Sequence, residues 1–171
     1  MKVIFLDIDG VLNSFEKHAD LTLPHHEWSP ETMNAIGIQL GVFSEMVERL
    51  NKITDATGAW LILSSSWRVG YLANWADVVI HLHNAGVRGF ILGRTPHGID
   101  FRTRGAEIEA WFAQNPGEKV EAFVVLDDSD KMESLSDNWV RTEFNKGLQD
   151  EHVERAIILL NREKDDGEQA D

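Results

Sequence analysis

Apolar positions in this chain form two kinds of pattern, and the two alternate from end to end. Residues 3–6, 60–63 and 122–126 are short continuous apolar runs, which read as strands buried on both faces. Residues 90–92 and 139–142 read as two further short strands. Phe43, Met46, Val47, Leu50 and Ile53 recur at helical spacing and predict a helix over 43–57 that ends at Gly58. Helices are also expected over 71–85, closed by Gly86, over 105–114, with Ile108, Trp111 and Phe112 on one face, and over 150–161. Ser29-Pro30-Glu31 looks like one more helix start, with Ser29 as cap and Pro30 in the first turn. The polar stretch 13–30, with Pro24, and the stretch 93–103, rich in Gly, Pro and Arg, read as loops.

Strands alternating with helices predict an α/β protein: a three-layer α/β/α, Rossmann-like domain around a parallel sheet. The chain has 171 residues, which suits one domain over 1–162, followed by a charged tail, 163–171, expected to be disordered. No internal repeat or low-complexity linker is visible. Residues 13–43 are the one obvious insertion near the first strand, and part of them must build the next helix, so any cap is expected to be small.

Composition narrows the function classes. Hydrophobic residues make up 43% and charged residues 26%, a soluble globular balance. The formal charge of −13 opposes casual attraction to nucleic-acid phosphates or anionic lipid, but leaves room for a local basic site. There is no cysteine, hence no disulfide partner and no thiolate chemistry, with the cytoplasm as the default compartment. No apolar run is long enough for a signal peptide or a bilayer span, so no membrane partner is expected.

In parallel sheets, ligands bind at the carboxyl ends of the strands. Three polar clusters fall there: Asp7 and Asp9 after the first strand, Ser64 and Ser65 after the second, Asp127 and Asp128 after a later one. Gly10 permits a tight turn that would bring Asp7 and Asp9 to one site. Several carboxylates in one crevice repel unless a cation sits among them, and oxygen-only ligands with a substrate phosphate suit Mg2+. A carboxylate nucleophile would form an acyl-phosphate, and a second carboxylate would act as acid and then base, a role for which Asp9 is placed. Ser64 is the preferred phosphate-holding hydroxyl and Ser65 its rival by one position. Arg104 and Arg68 are the candidate cations for the phosphate, with Arg94 and Arg102 close by in sequence. His25-His26 and His81-x-His83 lack a third convergent ligand and read as surface histidines.

These residues carry a resemblance. Asp7-Ile8-Asp9-Gly10-Val11-Leu12 resembles the first motif of the haloacid dehalogenase (HAD) superfamily. Ser64 matches the second motif, Asp127-Asp128 the fourth in its paired form, and Arg104 is the best assignment for the third. A narrower likeness, through residues 64–68, 104–111, 126–128 and Gly147-Leu148, is to the small HAD domains of multi-domain RNA repair proteins and of some phage and bacterial proteins. The resemblance implies a Mg2+-dependent phosphatase with Asp7 as nucleophile and Asp9 as acid/base. It implies a metal held by Asp7, the backbone carbonyl of Asp9 and a fourth-motif aspartate. The narrower likeness implies a nucleotide or nucleic-acid end phosphate as substrate. Two alternatives stay open: a non-catalytic phosphate-binding or interaction module on the same fold, and a phosphotransferase or nucleotidase acting on free nucleotides.

Overall fold

Five parallel strands make the central sheet, lying side by side in the order Ile91–Arg94, Trp60–Leu63, Lys2–Leu6, Ala122–Asp127 and Trp139–Arg141. The computed structural model describes residues 1–14, 41–68, 75–98, 103–129 and 132–162. Within these, the strands are β1 (Lys2–Leu6), β2 (Trp60–Leu63), β3 (Ile91–Arg94), β4 (Ala122–Asp127) and β5 (Trp139–Arg141). The helices are α1 (Ser44–Thr57), α2 (Trp75–Asn84), α3 (Arg104–Gln114) and α4 (Asp150–Asn161). Among the described residues no helix is long and apolar enough to cross a membrane.

Alternation along each strand sends its side chains to opposite faces, and the core divides accordingly. Ile4, Leu6, Leu61, Leu63, Val124 and Leu126 pack against Met46, Leu50 and Ile53 of α1, Val78 and Leu82 of α2, and Ala156 and Leu160 of α4. Val3, Phe5, Ile62 and Val125 face the other way, onto Ile108 and Trp111 of α3 and onto Met132 and Leu135. The result is a three-layer α/β/α, Rossmann-like arrangement. A strand buried on both sides must be apolar throughout, which is why the strands read as continuous runs.

The expected helix 43–57 is present, with Phe43 as its N-terminal flank. Gly58 ends it in the left-handed region at φ +66°, its N–H donating to the Thr54 carbonyl at 2.8 Å. Several boundaries differ from expectation by a residue or two, and two of the differences have a visible cause. Gly93 and Arg94, expected in a loop, extend β3, because a one-residue register shift past Leu92 lets Ile62 and Leu63 of β2 pair with them. Arg104 is helical, because the Thr103 hydroxyl accepts the Ala106 N–H and starts α3 one residue early. The helix start at Ser29, the expected small cap, His25-His26, the first residues of the 71–85 helix and the 163–171 tail lie outside the described residues.

The pairing order puts β1 between β2 and β4, with Leu6 beside Leu63 on one side and Leu126 on the other. The residues that follow these three strands therefore meet at one end of the sheet.

Candidate active site

Asp7 leaves β1 still attached to the sheet: its N–H donates to the Leu126 carbonyl at 3.0 Å. The chain then turns tightly, with the Ile8 carbonyl accepting from the N–H groups of Val11, Leu12 and Asn13 at 2.8–3.3 Å. Gly10 makes that turn feasible for two reasons. Its φ of +68° is unfavourable for a side chain, and a Cβ there would lie 2.6 Å from the Asp128 carboxyl.

The Asp7 carboxylate is buried at 6% exposure. Its Oδ1 accepts the Ile8 N–H at 2.7 Å, and its Oδ2 faces Arg104 Nη2 at 3.2 Å. Ser65 adds a side-chain hydrogen bond. Burial, then the charge of Asp127, push its carboxyl from the ordinary 3.8 up to about 7, while Arg104, Ser65 and the Ile8 N–H pull it back.

Arg104, the first residue of α3, binds three carboxylates at once: Asp7, Asp127 through Nε at 2.8 Å and Glu107 through Nη1 at 2.9 Å. Burial works against its charge, but Asp7, Asp127 and Glu107 outweigh burial and raise its pKa. Arg94 turns elsewhere, donating to the Arg68 carbonyl at 3.4 Å and lying over the Trp75 ring. Arg102 lies outside the described residues.

Asp127 is fully buried at the end of β4. Beyond its contact with Arg104, its Oδ1 accepts the Ser129 N–H at 2.8 Å and the Ser129 hydroxyl. Asp128 is half-buried, and burial, then Asp127, raise its pKa. Oxygens of Asp7, Asp127 and Asp128 lie within 4.8 Å of one another. This donor set fits a hard divalent cation: all ligands are carboxylate oxygens, and Arg104, Ser65 and the Ile8 N–H together still leave Asp7 with a raised pKa.

The Asp9 carboxylate is not in that cluster. Both its oxygens accept from the Trp67 indole Nε1–H, at 3.0 and 2.9 Å, and Oδ1 also accepts from Asn13 Nδ2 at 2.8 Å. Ser64 and Ser65 are both fully buried but differ in their partners. The Ser64 N–H donates to the Leu6 carbonyl at 2.8 Å, and its hydroxyl has no hydrogen-bond partner among the described residues. The Ser65 hydroxyl contacts Asp7 and accepts the Trp67 N–H at 3.3 Å.

Arg68 is buried, and its guanidinium pairs with Glu107 at 2.7 Å. It also donates to the carbonyls of Ser65, Thr95 and Pro96. The chain thus brings Asp7, Ser65, Arg104, Asp127 and Asp128 together, and ties Arg68 to the backbone beside them. His81 packs on Trp67 with ring centroids 5.8 Å apart, and His83 Nδ1 meets the Val87 carbonyl at 2.9 Å. Neither histidine joins a metal-binding group among the described residues.

Sequence reasoning assigned no role to Glu107, Asn13 or the Trp67 indole. Glu107 is 6% exposed and joins Arg68, Arg104 and His97. Its signal was the Arg104-x-x-Glu107 spacing, which puts the pair on one helix face. Asn13 and Trp67 are far apart in sequence and left no such signal.

A family profile described as the HAD domain in Swiss Army Knife RNA repair proteins matches residues 3–153. No curated protein and no solved structure matches the chain.

Proposed function

The chain belongs to the family of HAD domains in Swiss Army Knife RNA repair proteins, and on that premise we propose that it is a Mg2+-dependent phosphomonoester hydrolase working through an aspartyl-phosphate. The observation that carries this reading is the convergence, at the ends of β1, β2 and β4, of one buried carboxylate with a guanidinium, a hydroxyl and two further carboxylates.

In the proposed reaction, an oxygen of Asp7 attacks phosphorus and the bond to the leaving oxygen breaks, with Asp9 giving that oxygen its proton. A water molecule then attacks phosphorus and gives a proton to Asp9. The bond to Asp7 breaks, and inorganic phosphate leaves. Asp7, Asp127 and Asp128 would hold Mg2+, whose charge would offset that of the phosphate. Arg104 keeps Asp7 and Asp127 in position without a long-range reorganisation.

Ser65 is the better placed hydroxyl for a phosphate oxygen, because it already reaches Asp7. Ser64 and the Gly10 turn are then supports of the loop geometry. Arg68 acts on the phosphate indirectly, through Glu107 and the Ser65 carbonyl. The family supports a nucleotide or nucleic-acid end phosphate as substrate.

Phosphate release from p-nitrophenyl phosphate, with and without EDTA, tests the chemistry. A panel of mononucleotides and of 3′- and 5′-phosphorylated oligonucleotides tests the substrate class. No turnover of any ester by the folded, Mg2+-supplied protein would leave the non-catalytic phosphate-binding module as the better reading.

A further inference from the structure

Beside Asp128 a cavity of about 450 Å³ opens between the end of β5 and the start of α4. The segment that walls it is built into the catalytic end of the sheet. Arg141 is in register with Asp127, and the Thr142 N–H donates to the Asp127 carbonyl at 3.2 Å. At its other end, the Leu148 N–H donates to the Val11 carbonyl, in the turn after Asp7, at 2.9 Å. Between these anchors the chain folds back tightly, the Gly147 N–H bonding the Glu143 carbonyl at 2.8 Å. The cavity shares Asp128 with the carboxylate cluster, so a substrate whose phosphate rests on Asp7 has this space within reach of its leaving group.

The lining combines groups that recognise a nucleotide. Phe144 presents a flat ring that is 46% exposed. Arg141 is exposed, with its guanidinium held over the Trp139 ring at 5.5 Å. Thr142, 1% exposed, has a hydroxyl with no hydrogen-bond partner among the described residues. His152 accepts the Gln149 N–H at Nδ1, so its neutral form carries the proton on Nε2, and burial favours that form. Of the two acidic lining residues, Asp128 belongs to the carboxylate cluster and Glu143 is offset by Lys146 at 2.9 Å.

We infer that this cavity is a leaving-group subsite for a nucleotide: Phe144 stacks the terminal base, and Arg141 meets the phosphodiester that follows it. The inference rests on the phosphatase reading and deepens it. A chain charge of −13 opposes long-range attraction of nucleic acid, which puts the weight of selectivity on short-range stacking and a local cation.

The test compares a dinucleotide carrying a terminal phosphate with glycerol phosphate, which has no base. For Phe144→Ala and Arg141→Ala, the ratio of kcat/KM for the dinucleotide over glycerol phosphate should fall about tenfold, mostly through KM. Arg141→Ala should also reduce the slope of log KM against log salt by roughly 0.7, the value of one single-strand phosphate contact. Phe144→Leu keeps apolar bulk without the flat face and should behave like Phe144→Ala, which separates stacking from folding. If wild type cleaves both esters and the variants leave the ratio unchanged, the subsite is overturned. If wild type cleaves neither, the phosphatase reading fails and the subsite falls with it.

Discussion

The Trp67 indole N–H donates to both carboxylate oxygens of Asp9, at 3.0 and 2.9 Å, joining the loop after β2 to the turn after β1. The bond gives Asp9 a defined orientation, which an acid or base needs in order to act. Trp67 is 7% exposed, so truncation to alanine would open a cavity and cost about 3–5 kcal/mol, whereas Trp67→Phe removes the donor and keeps most of the packing. Asp9→Asn should slow release of a sugar alcohol far more than of p-nitrophenolate, because the poor leaving group needs the proton. With p-nitrophenyl phosphate it should give a burst followed by slow turnover, as the Asp7 adduct accumulates. Trp67→Phe should show the same pattern in milder form, about tenfold down in kcat for glycerol phosphate. Rapid-quench kinetics on both substrates reads this directly. An equal loss for both leaving groups would mean that the indole only packs.

Asp7→Asn should abolish turnover by several orders of magnitude while the protein stays folded, because the attack depends on one anionic oxygen. The same substitution should stabilise the metal-free protein at alkaline pH. The folded-state pKa of Asp7 is raised, to about 7, so ionised Asp7 opposes folding. That opposition is absent below the unfolded value of 3.8, grows as pH rises, and is complete above about 7. Thermal unfolding in EDTA should show Asp7→Asn above wild type at about pH 8, by on the order of 2–4 kcal/mol, with the gap closing toward pH 4.

Mg2+ should raise the melting temperature, and more at about pH 8 than at pH 6, because metal and proton compete for Asp7. EDTA should abolish activity, and Ca2+ should restore it poorly, since its larger and more flexible shell would misplace nucleophile and phosphate. Asp127→Asn should remove most of the Mg2+-induced shift. Differential scanning fluorimetry over a metal series checks the melting shifts, activity assays over the same series check the rest, and full activity after exhaustive chelation would rule the metal out.

Arg104→Met keeps the length of the side chain and removes the charge that Asp7, Asp127 and Glu107 share. Asp7 and Asp127 would lose their paired guanidinium in a buried site, while Glu107 keeps Arg68, at a cost of about 3–5 kcal/mol in the metal-free protein. Turnover should fall about 10²–10³-fold even where Mg2+ restores the fold. Urea unfolding and steady-state kinetics, each with and without Mg2+, separate the two effects.

Gly10→Ala places a Cβ against the Asp128 carboxyl, in a backbone conformation that side chains rarely adopt. Stability should drop by about 1–3 kcal/mol. The Mg2+ concentration for half-maximal activity should rise, because Asp128 must move. A Mg2+ titration unchanged from wild type would show that Asp128 contributes little to the metal.

Periodicity along the chain was enough to locate all five strands and the four described helices, because burial on both faces demands apolar runs and burial on one face demands helical spacing. The Gly58 cap and the Gly10 turn were legible for the same local reason: a left-handed backbone favours glycine. Asp7, Asp9 and Asp127-Asp128 stood out because each follows an apolar strand, and strand order then had only to bring those ends together.

What the tertiary structure decided is which atoms face which. Ser64 and Ser65 are adjacent, but it is Ser65 that hydrogen-bonds Asp7, while the Ser64 hydroxyl has no partner among the described residues. Arg94 and Arg104 are alike in composition, but only Arg104 begins a helix aimed at the ends of β1 and β4. Arg68, marked in the sequence as a phosphate cation, spends its donors on Glu107 and three backbone carbonyls. Trp67 meets Asp9 across 58 residues. A sequence states which groups are present and where each element starts. The direction of a side chain past the end of a strand depends on turn geometry and on the phase of a distant helix, and those are set only when the layers pack.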